Sequence, residues 1–402
     1  MKILVVNAGS SSLKYQLIEM DNEEVICKGG VECIGIEGSK ISHKVNGKEY
    51  VIEKHLANHT DAFNLVMECL TNKEYGSISS PEEISAIGHR VVHSGEAFDK
   101  STYIDDEALK RLESITHLAP LHNPASLACL KSCKSIVDCP NVCVFDTVFH
   151  GTMPKKAKLY AIPYEDYEAS KIRKYGFHGT SHKFVSQEAI KYLKSKGLNH
   201  SSIITCHLGN GSSITAVKDG KCIDTSMGMT PLDGLIMGTR CGCMDPAAVE
   251  MLAEFKNMSI KEITQYFNKK CGFLGVSGVS SDFRKLCAAM NEGNERAKLA
   301  FDMFVYQIRK YLGSYSVAME GLNCIVFTGG IGENGPVARE AVCENLEFMG
   351  IKIDKDLNNN APRGEMVDIS AKDSKVKILV IPTNEELVIA RETEEVVNSL
   401  KR

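Results

Sequence analysis

A turn of glycine and serine appears twice in this chain, half a chain apart, each time where one β-rich run breaks and another resumes. The first copy is Leu4-Val5-Val6-Asn7-Ala8-Gly9-Ser10-Ser11-Ser12-Leu13-Lys14-Tyr15-Gln16-Leu17. The second is Thr205-Cys206-His207-Leu208-Gly209-Asn210-Gly211-Ser212-Ser213-Ile214-Thr215-Ala216-Val217. Gly9-Ser10-Ser11 aligns with Gly211-Ser212-Ser213, an offset of 202 positions in a chain of 402. Both copies read as β-hairpins. A hairpin tip of small residues lets backbone N–H groups and hydroxyls converge on one anion, because no Cβ bulk intervenes. Two such tips imply two duplicated domains that grip the phosphates of a nucleotide between them.

The length suits about two or three domains, each able to bury its own core. With 43% apolar and 24% charged residues the chain reads as an ordinary globular enzyme. A net charge of -4 gives no global basic field to recruit nucleic acid or an anionic membrane. Phosphate binding must therefore come from locally placed groups. No apolar run reaches the roughly 18 residues of a membrane span, and Met1-Lys2-Ile3-Leu4 runs straight into a strand, so a cytoplasmic protein is expected. Fifteen cysteines, odd in number and scattered through apolar patterns, fit reduced buried thiols better than a disulfide framework.

Residues 2–33 read as three strands, followed by a helix at 60–72, a strand at 84–93 and helices near 105–116 and 124–137. Asn141–Asp146 is an apolar strand. After Pro154 the pattern restarts, with a helix near 181–195 and strands at 202–208, 213–218 and 221–225. Helices dominate to about 319, then strand Cys324–Thr328 opens a Gly-rich turn and strand Val376–Ile381 precedes a helix at 384–400. The order predicts two α/β domains with mixed sheets, 1–150 and 151–383, with the C-terminal helix of about 384–402 folding back on the first.

Several segments carry candidate chemistry. Asn7, Ser10, Ser12 and Lys14 surround the first tip with an amide, hydroxyls and an ammonium, suited to phosphate contacts or to a plain surface turn. In Gly88-His89-Arg90-Val91-Val92-His93, alternation sets Arg90 and Val92 on one face, where a guanidinium could fork a short carboxylate while Val92 covers its alkyl tail. His122 precedes Asn123-Pro124, which reads as an N-cap and first turn. Asp146 closes its strand and reads as a catalytic carboxylate or as a turn former. Gly176-Phe177-His178-Gly179 allows an unusual backbone path that would present His178 to a transferring phosphoryl. Arg240, after Pro231 and the Gly238-Thr239 step, is a second arginine of the kind that neutralises such a group. Gly330, Gly332 and Gly335 match a dinucleotide fingerprint with Asp354 about 20 residues on, or else form an adenosine platform. Glu385 reads as a Mg²⁺ ligand or as a glutamate favoured at a helix N-terminus.

Taken together, NAGSSSLK, GHRVVHSG, FDTVFH, KYGFHGTSH, HLGNGSS, GTR, SSDFR, FTGGIGEN and PTNEE closely resemble the acetate kinase family of the acetate and sugar kinase/Hsp70/actin superfamily, along essentially the whole chain. The resemblance implies two duplicated actin-like, ribonuclease H-like domains around an interdomain active-site cleft. It also implies a homodimer and reversible Mg²⁺-dependent phosphoryl transfer (Mn²⁺ is the alternative metal) from ATP to acetate, giving ADP and acetyl phosphate by direct in-line attack. Residue by residue it assigns catalysis to Asn7, Arg90, Asp146, His178 and Arg240, and the metal to Asn7 and Glu385. The acetate pocket would be Arg90, Val92, Leu121, Phe177 and Pro231. The nucleotide would meet Lys14, Ser10, Ser12, His207, Asn210, Gly211, Asp282, Phe283, Arg284, Gly330, Ile331 and Asn334. One departure stands in Gly238-Thr239-Arg240-Cys241-Gly242-Cys243, where the family usually has GTRSGD. Propionate is the rival substrate. A nucleotide-dependent assembly protein would share the duplicated hairpins without needing paired arginines, and a dinucleotide oxidoreductase would need nicotinamide chemistry.

Overall fold

The computed structural model describes residues 1–120 and 122–401. It divides into one unit of Met1–Val148 with the segment from Asn384 on, and a second of Phe149–Thr383. In the first unit the strands are β1 (Lys2–Ala8), β2 (Leu13–Glu19), β3 (Glu24–Glu32), β4 (Lys40–Val45), β5 (Lys48–Glu53), β6 (Ala86–Val91), β7 (Thr102–Tyr103) and β8 (Asn141–Phe145). Among the described residues they form one sheet in the order β5-β4-β3-β2-β1-β6-β8-β7. The hairpin strands pair antiparallel, while β1, β6 and β8 run parallel. The second unit has β9 (Ser202–Leu208), β10 (Ser212–Lys218), β11 (Lys221–Thr225), β12 (Cys324–Thr328), β13 (Val367–Asp368) and β14 (Lys377–Val380), in the order β11-β10-β9-β12-β14-β13. Again the hairpin strands are antiparallel and β9, β12 and β14 parallel.

The two sheets therefore share one topology: third, second and first strand of a meander, then two parallel strands, then a two-residue antiparallel edge. The duplication is real, but its offset is corrected. Strand ends superpose Ala8 on Leu208 and Gly9 on Gly209, which is 200 positions and not 202. The first tip is the four residues Gly9–Ser12, whereas the second is the three residues Gly209–Gly211, so Ser212 and Ser213 already belong to β10. Like triplets sit at different depths in the two hairpins.

The parallel strands of both sheets are covered on both faces, which is why they read as continuous apolar runs. In β1, Leu4 and Val6 pack with the helices His59–Leu70 and Asn123–Ile136, while Ile3 and Val5 pack with Ile389, Ala390 and Val397 of the helix Glu385–Leu400. The C-terminal helix thus lies on β1, β6 and β8. Gly88 makes room for it, since a Cβ there would stand 2.4 Å from Thr393 Oγ1 and 2.8 Å from Ile389 Cγ2. In the second unit Ile204, Cys206, Ile325 and Phe327 face the long helix Glu295–Ala318, and Ile203, Val326 and Leu379 face the helix Gly179–Ser195.

The β4–β5 hairpin was not among the expected strands, although Asn46-Gly47 at its tip is a strong two-residue turn signal and both residues have positive φ. Asn123 is not the N-cap. His122 holds that position, while the Asn123 amide accepts from His93 N at 3.3 Å and donates to His93 O at 3.0 Å, tying the helix to the segment after β6. The Gly-rich turn after β12 is a short helix, Gly329–Asn334.

Candidate functional site

In the first unit the carboxyl ends of β1, β6 and β8 gather Asn7, Arg90 and Asp146, the usual place for a ligand in an open α/β sheet. Asn7 and Lys14 are direct cross-strand partners beside the Gly9 turn, whose Gly9 carbonyl accepts from His59 Nε2 at 2.8 Å. Arg90 and Asp146 form a two-pronged ion pair, Nε to Oδ1 at 2.9 Å and Nη2 to Oδ2 at 2.7 Å. The guanidinium edge expected to fork a substrate carboxylate is thus already committed to Asp146. This side chain is 2% exposed, and its backbone N–H donates to Val91 O at 3.0 Å. Asp146, joined by Glu385 and Glu386, holds Arg90 firmly protonated. Burial pushes the Asp146 carboxyl up against the pull of Arg90, and repulsion from Glu385 adds to the push. Asp146 is therefore the orienting partner of Arg90. Val92 follows directly, half-buried; Leu121 lies outside the described residues.

In the second unit Gly176, with φ +77, carries the chain past His150, and His178 itself adopts φ +55 at the start of the helix Gly179–Ser195. His150 Nε2 donates to Phe177 O at 2.9 Å and so braces this turn, while Phe177 is 2% exposed. A Cβ on Gly211 would lie 3.5 Å from both His178 Nε2 and Arg240 Nη1. The bare tip of the second hairpin is what brings an imidazole and a guanidinium together. Arg240 Nη1 also donates to Pro231 O at 3.0 Å. Gly238 N donates to Asn210 O at 3.1 Å, and a Cβ on Gly238 would collide with Asn210 Oδ1. The His207 ring stacks on that of His178, with centroids 4.2 Å apart.

The other nucleotide candidates form two further pieces of this unit. Asp282 caps the helix Phe283–Asn291 and pairs with Arg284, whose hydrogen bonds hold its carboxyl at about 2. Gly330 is exposed, with open space where a Cβ would be, and Asn334 Nδ2 donates to Gly330 O at 3.1 Å. Gly329 has φ +74, and its N–H donates to Glu333 Oε1, which also accepts from Thr383 N. Sequence reasoning passed over Arg339, which is 1% exposed: it donates to Gly332 O, Glu333 O, Asn358 O and Asn358 Oδ1 and so fixes the end of the Gly-rich helix. Asp354 caps the helix Lys355–Asn359 through Asp356 N and Leu357 N, so it is not the ribose acid of a dinucleotide site. Cys241, beside Arg240, is half-buried and pushed up to about 11 by burial, whereas Cys243 is exposed.

A duplicated mixed sheet, each copy opening on a glycine-rich hairpin, with Arg90 near the end of β6 and with His178 and Arg240 beside the tip of the second hairpin, defines a phosphotransferase of the actin-like, acetate and sugar kinase class. Residues 2–391 match the acetokinase family model. An acetate kinase of Thermotoga petrophila is 54% identical over 100% of both chains. The crystal structure of Porphyromonas gingivalis acetate kinase shares 46% identity over 98% of this chain and 99% of that one, with a TM-score of 0.93. A propionate kinase from Francisella tularensis shares 42% over the same proportions, with a TM-score of 0.91. The chain belongs to the acetokinase family.

Proposed function

We propose that the chain transfers the γ-phosphoryl group of ATP to acetate, reversibly, giving ADP and acetyl phosphate. The observation that carries this is the full-length match to acetate kinases, 54% identical across the whole chain. The chemistry asks little covalent work of the protein. A carboxylate is already ionised at neutral pH, so no general base is needed; what is needed is alignment and neutral surroundings for the equatorial oxygens. Arg90, held by Asp146, orients the acetate carboxylate through its remaining nitrogen, Nη1, while Arg240, His178 and Asn7 stabilise the transferring phosphoryl. By the resemblance to acetate kinases, Val92, Leu121, Phe177 and Pro231 are the residues assigned to the methyl group. Lys14, Ser10, Ser12, His207, Asn210 and Gly211 hold the phosphates; Asp282, Phe283, Arg284, Gly330, Ile331 and Asn334 take the adenosine.

Among the described residues no three acidic, histidine or cysteine side chains cluster as a metal cage. Oxygen donors on one or two side chains suit Mg²⁺, which keeps several waters and binds chiefly through phosphates. Asn7 and Glu385 would hold it, and it would supply charge neutralisation on the triphosphate. Assembly as a homodimer is supported by exposed apolar side chains on two helices, Met251 and Phe255 on Pro246–Lys256, and Leu299, Met303 and Tyr306 at i, i+4, i+7 on Glu295–Ala318. The work is done in the cytoplasm; no helix among the described residues is long and apolar enough to cross a membrane.

Propionate is the second, slower substrate in this reading, and the likeness to a propionate kinase supports its use. One methylene is worth only about 1–3 kcal/mol of discrimination. Coupled assays of ADP release with each acid test both points. Acetate is expected to give the higher kcat/KM, with no turnover when Mg²⁺ is withheld; a propionate preference would reassign the substrate, and acid-independent ATP hydrolysis would reassign the class.

A further inference from the structure

The second unit carries a chain of buried hydrogen bonds behind His178 that the roles above leave unused. His178 Nδ1 lies 2.9 Å from Ser213 Oγ, and Ser213 Oγ lies 2.7 Å from His182 Nε2. On its other side His182 Nδ1 lies 2.7 Å from Thr205 Oγ1, whose hydroxyl donates to Thr215 O at 3.4 Å. Ser213, His182 and Thr205 are all fully buried.

With the Thr205 hydroxyl donating to the Thr215 carbonyl, which only accepts, every later proton in the chain follows. The Thr205 oxygen then accepts from His182 Nδ1–H. Burial, with smaller contributions from His150 and His207, holds His182 neutral, so its Nε2 carries a lone pair. The Ser213 hydroxyl donates to that nitrogen, and its oxygen accepts from His178 Nδ1–H. We infer that Thr205, His182 and Ser213 are positioning residues that keep a proton on His178 Nδ1, so that Nε2 is the nitrogen that titrates and donates to a phosphoryl oxygen only in the imidazolium form.

The groups facing His178 fit this role. The His207 ring stacks on it, the His182 ring centre is 6.5 Å away, and Arg240 Nη1 shares the Gly211 turn with its Nε2. His150 braces the preceding peptide from behind. Arg240 opposes a second proton on His178, and an arriving phosphoryl anion favours it, so the imidazolium donor forms where negative charge accumulates. The chemical role of Nε2 rests on the kinase reading; the tautomer does not.

The test is two-bond ¹⁵N–¹H correlation spectroscopy of the full-length, histidine-labelled protein, with His178 assigned by its loss in His178→Gln, alongside kcat against pH. Neutral His178 is expected as the Nδ1–H tautomer in the wild type and in Thr205→Ser, which keeps the hydroxyl. In Thr205→Val, of similar volume, the Nε2–H form should appear. The wild-type kcat should fall as pH rises through the His178 titration. In Thr205→Val that limb should flatten and kcat drop about tenfold, with KM for ATP within about twofold. Unchanged melting temperatures separate these effects from misfolding. A wild-type Nε2–H tautomer overturns the inference, as does Thr205→Val with the wild-type tautomer and pH limb. An Nδ1–H tautomer in a protein that makes no acetyl phosphate overturns the kinase reading alone.

Discussion

At the scale of single residues, the account turns on charge brought to particular points and on glycines that let it arrive. Arg90 and Arg240 are each expected to be worth at least about a hundredfold in turnover, as charged donors to a developing anion usually are. Steady-state rates of Arg90→Ala and Arg240→Ala measure this. Arg90→Ala also removes the two-pronged partner of Asp146, a carboxylate 2% exposed, so it should lose stability as well. Gly211→Ala probes the other point. Its methyl would meet His178 and Arg240 at 3.5 Å, an ordinary contact distance, so the melting temperature should be little changed, while the methyl fills the open space beside both donors and kcat should fall about tenfold. Cys241→Ser and Cys243→Asp, which restore the GTRSGD pattern implied by the resemblance, should leave turnover within about twofold. Burial holds the Cys241 thiol protonated near neutral pH, so alkylation there should be slow. Arg90, Asp146, His178 and Arg240 were legible because their motifs are dense with donors and bounded by glycine. Ser213, His182 and Thr205 were not, because a relay between a helix and two strands leaves no local pattern beyond the four-residue spacing of His178 and His182.

At the scale of elements, two close contacts carry predictions. Gly88→Ala would drive a methyl into Thr393 and Ile389 and lift the C-terminal helix from β6, so the melting temperature should fall by an amount equivalent to about 1–3 kcal/mol. Arg339 is a buried cation bonded, among the described residues, to carbonyl-type oxygens, with burial pulling its guanidinium down to about 10. Arg339→Met leaves those oxygens without donors, at about 1–3 kcal/mol. It should raise KM for ATP and leave KM for acetate nearly unchanged, because what it holds is the Gly329–Asn334 helix. Most strands and helices could be read from apolar runs bounded by turn residues, β1 and β12 clearly so. Strands β7 and β13, two residues each, exist only because a longer neighbour pairs with them. The β4–β5 hairpin was legible at Asn46-Gly47 but hidden by its alternating lysines and glutamates, which line the solvated face of the sheet. The dinucleotide fingerprint is the reverse case, a spacing that matches while the acid it needs, Asp354, caps a helix, which leaves the alternative of an adenosine platform.

At the scale of the whole molecule, one sheet topology used twice gives two glycine-rich hairpins, and the proposed chemistry falls to residues that differ between the copies: Asn7, Arg90 and Asp146 in one, His178 and Arg240 in the other. Association belongs to this scale too. Phe255 is 85% exposed and Tyr306 65%, so Phe255→Glu combined with Tyr306→Glu should shift sedimentation from dimer towards monomer. Together these features are proposed to serve transfer of a phosphoryl group to a carboxylate. Its most direct test is to trap the product: purified protein with ATP, Mg²⁺ and acetate, quenched with hydroxylamine to convert acetyl phosphate to the coloured hydroxamate. The account predicts acetate-dependent hydroxamate in the wild type and at least about a hundredfold less in Arg240→Ala. ATP binding with no hydroxamate at any acetate concentration would contradict it.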